Sequence, residues 1–274
     1  MSTGGYVHGY SERERRRLND QSQTLAELLH HDTLYPPGSR VLEAGCGVGA
    51  QTVILARQNP QASFTSFDIS PASVAAAAKA VERAGLTNVV FQAGDIFQLP
   101  FPEASFDHVF VCFVLEHLRA PQEALRRLKG MLKPGGSLTV IEGDHGSTFF
   151  HPRSDAAWKT IQCQIDLQAA AGGNALIGRE LYPLLRAAGF DRVTVSPRFV
   201  YVDSGRPEWV EGFTRNTYIA MIEGVRDRAL AAGLIDEAAW AEGIAALKRS
   251  AGLDGTFCYT FFKARAVDPH ISRW

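Results

Sequence analysis

Among the 274 residues there are only 4 cysteines and 3 methionines, and the formal net charge is −1. Each shortage excludes something. Cys46, Cys112, Cys163 and Cys258 are scattered without a C-x-x-C pair, so neither a zinc site nor a disulfide framework can be drawn. Free thiols fit a reducing cytoplasm. With 28 Lys and Arg against 29 Asp and Glu, the chain carries no electrostatic invitation to nucleic acid or an anionic membrane. Its densest basic run, Arg13 to Arg17, encloses Glu14 and reads as a solvated helix face. No apolar stretch approaches the roughly 20 residues that span a bilayer. The opening "MSTGGYVHGYSERERRR" lacks the apolar core of a secretory signal. The expected partner is therefore a small molecule, not nucleic acid or membrane. The expected setting is cytoplasmic, as a monomer or homodimer.

What is present is globular: 46% hydrophobic and 21% charged residues, enough for one large α/β domain with insertions. Ser11 with Glu14 forms a capping box, and a helix is expected from there to about His30. After the turn "YPPGS", strands and helices alternate: Arg40–Ala44, a helix over 50–58, "SFTSFDI", a helix over 71–84, "VVFQAGD", "SFDHVFVCFV", a helix over 121–132 and "SLTVIEGD". That alternation predicts a doubly wound, parallel sheet. The tail adds an amphipathic helix over 179–190, a strand "DRVTVSP" and a last strand "GTFCYTFFKARA". Two aromatic-rich segments, about 146–178 and about 204–254, break the alternation. They are read as one cap over the carboxyl ends of the strands, where open α/β sheets bind ligands. The plainer reading is that their aromatics only build the core of a helical appendage.

The stretch "VLEAGCGVGAQT" runs an apolar strand into Gly45-Cys46-Gly47-Val48-Gly49 and then a helix. Glycine lets a backbone turn sharply against a ligand. The loop is one residue short of the dinucleotide fingerprint, and Glu43 just before it would repel a pyrophosphate. A zwitterionic, cationic ligand would be welcome beside that carboxylate. Asp68 ends the second strand, where an acid suits ribose hydroxyls. Asp95 follows the third strand, with Ile96 beside it. Each aspartate has a second reading as a capping acid at a strand-to-helix turn.

"VLEAGCGVG", "FDISP", "AGDIFQLPF", "SFDHVF" and "LKPGGSLTV" resemble, in order and spacing, the motifs of class I S-adenosylmethionine-dependent methyltransferases. The resemblance is strong over about 38–145 and weaker in "LLRAAGF" and the last strand. It implies a seven-stranded, mostly parallel Rossmann-like sheet with S-adenosylmethionine as cofactor and no metal. It implies that Gly45, Cys46 and Gly47 line the methionine moiety and that Asp68 holds the ribose. Ile69, Asp95 and Ile96 would bracket the adenine, and Phe113 would line the methionine side. Domains follow: residues 1–35 an N-terminal helical lid, 36–145 the cofactor-binding core, and 146–274 the rest of the sheet, with strands near 191–197 and 256–264 and cap insertions. In relatives of this type a Tyr-bearing N-terminal segment folds over the cofactor. Tyr6 is the residue for this, with Tyr10 nearer the acceptor; a frayed terminus is the alternative.

Methyl transfer is an in-line displacement, so alignment in a shaped pocket does most of the work. A general base adds about 10²–10⁴-fold where the acceptor must lose a proton. Asp144 and His145, after the fifth strand, form an acid–histidine pair of the right type, and Glu116 after the fourth strand is a third candidate. Asp144 and His145 can equally satisfy loop backbone groups, whereas Glu116 can face the acceptor. His117, Phe149, Trp158 and Phe213 are the expected acceptor contacts. An aromatic cap points to a small, flat acceptor. The segments "EGDHGS", "GGNALIGRELYP" and "GTFCYTFFK" resemble enzymes that methylate carbon in indole alkaloids or indole-bearing cyclic dipeptides. O- or N-methylation of a phenol, quinone precursor or amine is the rival, and cofactor binding without catalysis is the reading from another class.

Overall fold

The structure, a computed structural model, describes residues 24–268. Its centre is a seven-stranded sheet in the order β3-β2-β1-β4-β5-β7-β6. The strands are β1 (Arg40–Ala44), β2 (Ser63–Asp68), β3 (Val89–Ala93), β4 (Phe106–Cys112), β5 (Leu132–His151), β6 (Asp191–Asp203) and β7 (Thr256–Val267). Neighbours from β3 through β5 pair in parallel, and β7 runs antiparallel to both β5 and β6. The expected alternation and the seven-stranded, mostly parallel sheet are found as read.

The central strands explain their own burial. β1 and β4 are near-continuous apolar runs, which suits strands covered on both faces. Alternate residues then supply two cores. Val41, Phe110 and Ile141 enter one, with Leu25, Leu29 and Leu55; Leu42, Val109 and Val140 enter the other, with Leu125, Leu128 and Leu185. The first face is covered by the helical stretch 24–30 (α1) and α2 (Ala50–Gln58), and further along by α5 (Asp155–Ala170) and α10 (Glu237–Arg249). The second is covered by α4 (Pro121–Met131) and α6 (Leu181–Ala187). α3 (Pro71–Arg83) begins at Ser70, whose hydroxyl accepts from the Ser73 N–H. Helix α1 is tied to the sheet through Lys263, whose buried Nζ donates to Leu29 O (3.0 Å), Asp32 Oδ1 (2.5 Å) and Thr33 Oγ1 (2.6 Å).

Two boundaries differ from expectation. β5 continues to His151 rather than stopping at Asp144, because Phe149, Phe150 and His151 pair with Cys258, Phe257 and Thr256 of β7. β6 likewise continues to Asp203. Residues 146–151 are therefore sheet, not cap. Three strands thus project past the carboxyl ends of β1–β4, and helices pack on one face of that projection. These are α5, α7 (Pro207–Trp209), α8 (Ala220–Glu223), α9 (Arg226–Ala231) and α10, with Val210–Ile219 between α7 and α8 wound as a π-helix.

Candidate active site

The glycine loop leaves β1 with Gly45 at φ +75°, a left-handed conformation that a Cβ makes costly. A Cβ there would also collide with the Val114 side chain, so the loop lies directly against the turn that follows β4. Gly47, at φ +52°, faces open space. Its N–H donates to Asp68 Oδ2 (2.9 Å), while Asp68 Oδ1 accepts from Ser70 N–H (2.9 Å). Beneath the loop, Glu43 is wholly buried, and its Oε2 accepts from Thr52 Oγ1 (2.8 Å) and Ser66 Oγ (2.6 Å). Burial, with the Asp68 charge adding to it, pushes the Glu43 carboxyl up to about 7. The side chains steadying this loop are therefore acids. They suit a ligand that brings ammonium and sulfonium charge, and they fit S-adenosylmethionine better than a pyrophosphate.

At the end of β4, Phe113 sits at φ +58°, which a bulky residue adopts only under constraint. Its N–H donates to Ile141 O (2.9 Å), and its ring meets Phe261 at 5.4 Å. From Phe261 the ring contacts continue to Tyr259 (4.8 Å) and Phe213 (5.9 Å). They go on from Tyr259 to Tyr218 (5.6 Å) and His145 (5.6 Å). An aromatic wall thus runs from the turn beside the glycine loop into the strand projection.

A model of a methyltransferase domain family matches residues 36–189, more than half the chain. The chain belongs to the class I S-adenosylmethionine-dependent methyltransferases. It is 28% identical over 225 residues to 27-O-demethylrifamycin SV methyltransferase of Amycolatopsis mediterranei (strain S699), covering 81% of this chain and 76% of that protein. It is 32% identical over 216 residues to an uncharacterized 37.1 kDa protein in transposon TN4556 of Streptomyces fradiae, covering 77% of this chain. There it spans only 59% of the relative's length. Among solved structures it resembles the [4+2]-cyclase SpnF, with a TM-score of 0.54 and 26% identity over 92% of this chain and 81% of that one.

For a methyltransferase, the positions read from sequence fall as follows. Gly45, Cys46, Gly47 and Asp68 meet in the loop just described. Cys46 is buried, with Sγ turned to Gly47 O (3.8 Å), and burial drives its thiol far above the ordinary range. Asp95 makes a local turn, accepting from Phe97 N–H (2.9 Å). Neither aspartate caps a helix, since Ser70 caps α3 and no helix follows Asp95; each accepts from the N–H two residues on and keeps lone pairs for a ligand. Ile69 is exposed beside Asp68, whereas Ile96 is packed in the second core with Phe67 and Ala44. Ile96 thus supports the site from below rather than offering a free face. Tyr6 and Tyr10, and the capping box at Ser11, lie outside the described residues.

The expected acid–histidine pair stands on β5, where the pairing with β7 is interrupted between Asp144 and Phe149. Asp144 is gripped by Arg179, Nε to Oδ2 at 2.7 Å and Nη2 to Oδ1 at 2.8 Å, and also accepts from Gly146 N–H. His145 lies between Tyr218 and Tyr259 instead. Phe149 stacks on the exposed Phe199 (5.9 Å), on the face opposite the buried Phe150. Trp158 is half-buried against Phe150, and Phe213 is part of the wall.

Glu116 and His117 occupy the 3₁₀ turn Leu115–His117, with Glu116 Oε1 3.6 Å from His117 Nε2. Sequence reasoning missed what holds that turn. Glu142 Oε1 accepts from Val114 N–H (3.0 Å) and Leu115 N–H (2.7 Å). Gln168 of α5 donates to both the backbone and the carboxylate of Glu116. Tyr218, Tyr259 and Arg179 were also passed over. The sequence did not mark the buried line Thr160, Gln164 and Gln168, because in "TIQCQIDLQ" Gln162 and Asp166 between them are polar too. Among the described residues, no group of three or more His, Cys, Asp or Glu could hold a metal ion, and no helix is long and apolar enough to cross a membrane.

Proposed function

We propose that this protein transfers a methyl group from S-adenosylmethionine to a small aromatic molecule held against the wall that runs from Phe113 to Tyr218. That unbroken series of ring contacts, starting beside the glycine loop, is the observation that carries the reading. When bound, the cofactor supplies an electrophilic methyl on a sulfonium. The chain's own task is to hold it: Gly45, Cys46 and Gly47 by close backbone approach, Asp68 at the ribose, with Ile69 and Asp95 toward the adenine. The remaining task is to align a flat acceptor and exclude water, the main sources of acceleration available to such a reaction.

Among acceptors, we favour a neutral indole, methylated on carbon, whose ring N–H needs one acceptor on the protein. Glu116 and His145 remain for that role, since the Asp144 oxygens are engaged by Arg179. Oxygen methylation of a phenolic or natural-product hydroxyl is the rival. It draws support from likeness to an enzyme named for 27-O-demethylrifamycin SV. A reading from another class is binding of the cofactor without catalysis, and likeness to a protein named as a [4+2]-cyclase shows a relative named for a reaction other than methyl transfer.

The test is incubation of the purified protein with methyl-deuterated S-adenosylmethionine and a panel of indoles, phenols, amines and quinone precursors, read by mass spectrometry. A labelled indole with the methyl on carbon by NMR supports the favoured acceptor. A labelled phenol or amine transfers the reading to the rival. Tight S-adenosylhomocysteine binding with no labelled product across the panel would overturn methyl transfer to this class of acceptor.

A further inference from the structure

Helix α5 carries Thr160, Gln164 and Gln168 on one line, at i, i+4 and i+8, and all three are fully buried. A stripe that faces the core is normally apolar, because an amide taken out of water must find partners or cost stability. The partners here lead in one direction. Thr160 Oγ1 returns to Ala157 O (2.7 Å). Gln164 Nε2 donates to Gln168 Oε1 (3.0 Å). Gln168 Nε2 then donates to Glu116 O (3.0 Å) and to Glu116 Oε2 (3.0 Å). The row of glutamines terminates on one carboxylate.

That carboxylate stands on the turn that lies against the glycine loop. Glu116 is two residues from Val114, the side chain lying against Gly45. Its backbone is fixed a second time by Asn174 N–H (2.8 Å), and Gly173 packs so closely on Glu116 O that a Cβ could not be added. On the other side of the turn, Glu142 holds Val114 and Leu115 through Oε1, while its buried Oε2 has no hydrogen-bond partner among the described residues. Burial, reinforced by the Glu116 charge, drives the Glu142 carboxyl well above the usual carboxylate range. Two acids thus adjoin one turn, and the one gripped from α5 keeps a partly exposed side chain, with 13% of its surface open.

Resting on the methyl-transfer reading above, we propose that Glu116 receives the proton released by the acceptor, and that Gln168 is the positioning residue that fixes Glu116 for this. The acceptor's heteroatom or ring atom gains the methyl and its N–H or O–H bond breaks, the proton passing to Glu116. The sulfonium sulfur keeps the electron pair of the broken S–CH3 bond and becomes neutral. Charge balances, since one cation and one carboxylate become a thioether and a carboxylic acid. The assignment selects acceptors with one N–H or O–H near the reacting atom over fully substituted analogues. Among the described residues, the titratable groups around Glu116 include His117 on its own turn, Cys112 at the end of β4, Glu142 on β5 and Tyr259 on β7.

The experiment uses the full chain as wild type, Gln168→Leu, Gln168→Glu and Glu116→Gln. S-adenosylhomocysteine affinity by calorimetry first establishes that each variant is folded with an intact cofactor site; a change within about twofold is expected. ¹³C-glutamate NMR then follows the Glu116 carboxyl against pH. Removing the amide donor in Gln168→Leu is expected to raise the Glu116 midpoint by about one pH unit, and Gln168→Glu to raise it at least as far. With whichever of indole or phenol the wild type methylates, the acid limb of kcat/KM moves by the same amount. Glu116→Gln lowers kcat by a hundredfold or more. An unmoved midpoint in Gln168→Leu overturns the positioning role, and a wild-type rate in Glu116→Gln overturns the proton-accepting role. Silence of the wild type toward indole and phenol counts against the methyl-transfer reading alone, and the NMR comparison still decides whether Gln168 governs Glu116.

Discussion

Glu43 gives the sharpest thermodynamic test of how the glycine loop is built. The carboxyl is buried, and two hydroxyls donate to it, yet it is pushed from an ordinary 4.5 up to about 7. The folded state therefore holds the Glu43 proton more tightly than the unfolded chain does. Where the folded chain binds more protons, stability falls as pH rises. Between pH 4.5 and 7 the loss from this one group is 2.5 pH units at about 1.4 kcal/mol each, or about 3 kcal/mol. The contribution is complete below pH 4.5, declines through that window and is gone above 7. Replacing the acid in Glu43→Gln removes the titration while keeping an oxygen for Thr52 and Ser66. The measurement is denaturant unfolding of both proteins from pH 5 to 8 without ligand. The difference between them cancels every other titrating group, His30 and Glu142 included. The variant is expected to gain on the wild type by about 2–3 kcal/mol across the range. A constant difference over pH 5–8 would refute the buried, neutralised carboxyl. Above pH 7, where Glu43 is ionised, the same variant is expected to bind S-adenosylmethionine more weakly than the wild type, since it can no longer present negative charge beneath the loop.

Gly45→Ala combines a left-handed backbone with a collision against Val114, and is expected to weaken S-adenosylhomocysteine binding at least tenfold by calorimetry. Phe213→Ala removes a fully buried ring that meets Phe257, Tyr259 and Phe261, and is expected to cost about 3–5 kcal/mol in denaturant unfolding. Arg179→Met leaves Asp144 buried without its bidentate partner, and is expected to cost about 1–3 kcal/mol, with Asp144→Asn in the same background recovering part of it. Non-additivity between those two changes is the quantity to measure, and strict additivity would show that the pair is not coupled.

The core of the sheet was legible because its signals are local. Apolar runs such as "RVLEA" and "FDHVFVC" end at glycines or turns, and a buried parallel strand needs no partner to be recognised. The loop acids Glu43, Asp68 and Asp95 could be found because they stand at fixed distances from strand ends. What failed was non-local. Nothing in "GSTFFH" announces a strand; Phe149 to His151 become one by pairing with Cys258 to Thr256, more than a hundred residues away. Nor does anything local announce that Arg179, 35 residues on, takes both oxygens of Asp144. The π-helix at Val210–Ile219 was also invisible. Its register shows in Thr217 Oγ1 reaching back to Gly212 O (2.7 Å), and a Cβ at Gly212 would collide with Thr24 of α1.

Four carboxyl groups crowd the carboxyl ends of the strands, and the way each is held separates structural acids from one that can do chemistry. Glu43 is capped by two hydroxyls and sits under the glycine loop. Glu142 is fastened to two amides, and burial pushes its carboxyl well above the usual carboxylate range. Asp144 is clamped by Arg179 with both oxygens engaged. A fold has no energetic reason to keep so many acids from water, and each such group would be replaced by an apolar side chain if stability alone were selected. Holding Glu116 differs in kind. The Gln168 amide donates to it, His117 Nε2 stands 3.6 Å from its Oε1, and its side chain alone of the four remains appreciably open. A group that takes a proton from a bound molecule must be oriented, charged and reachable at once. The other three acids each fail at least one of those conditions, which is why the chemistry of this site should be sought at the turn after β4 and not at the end of β5.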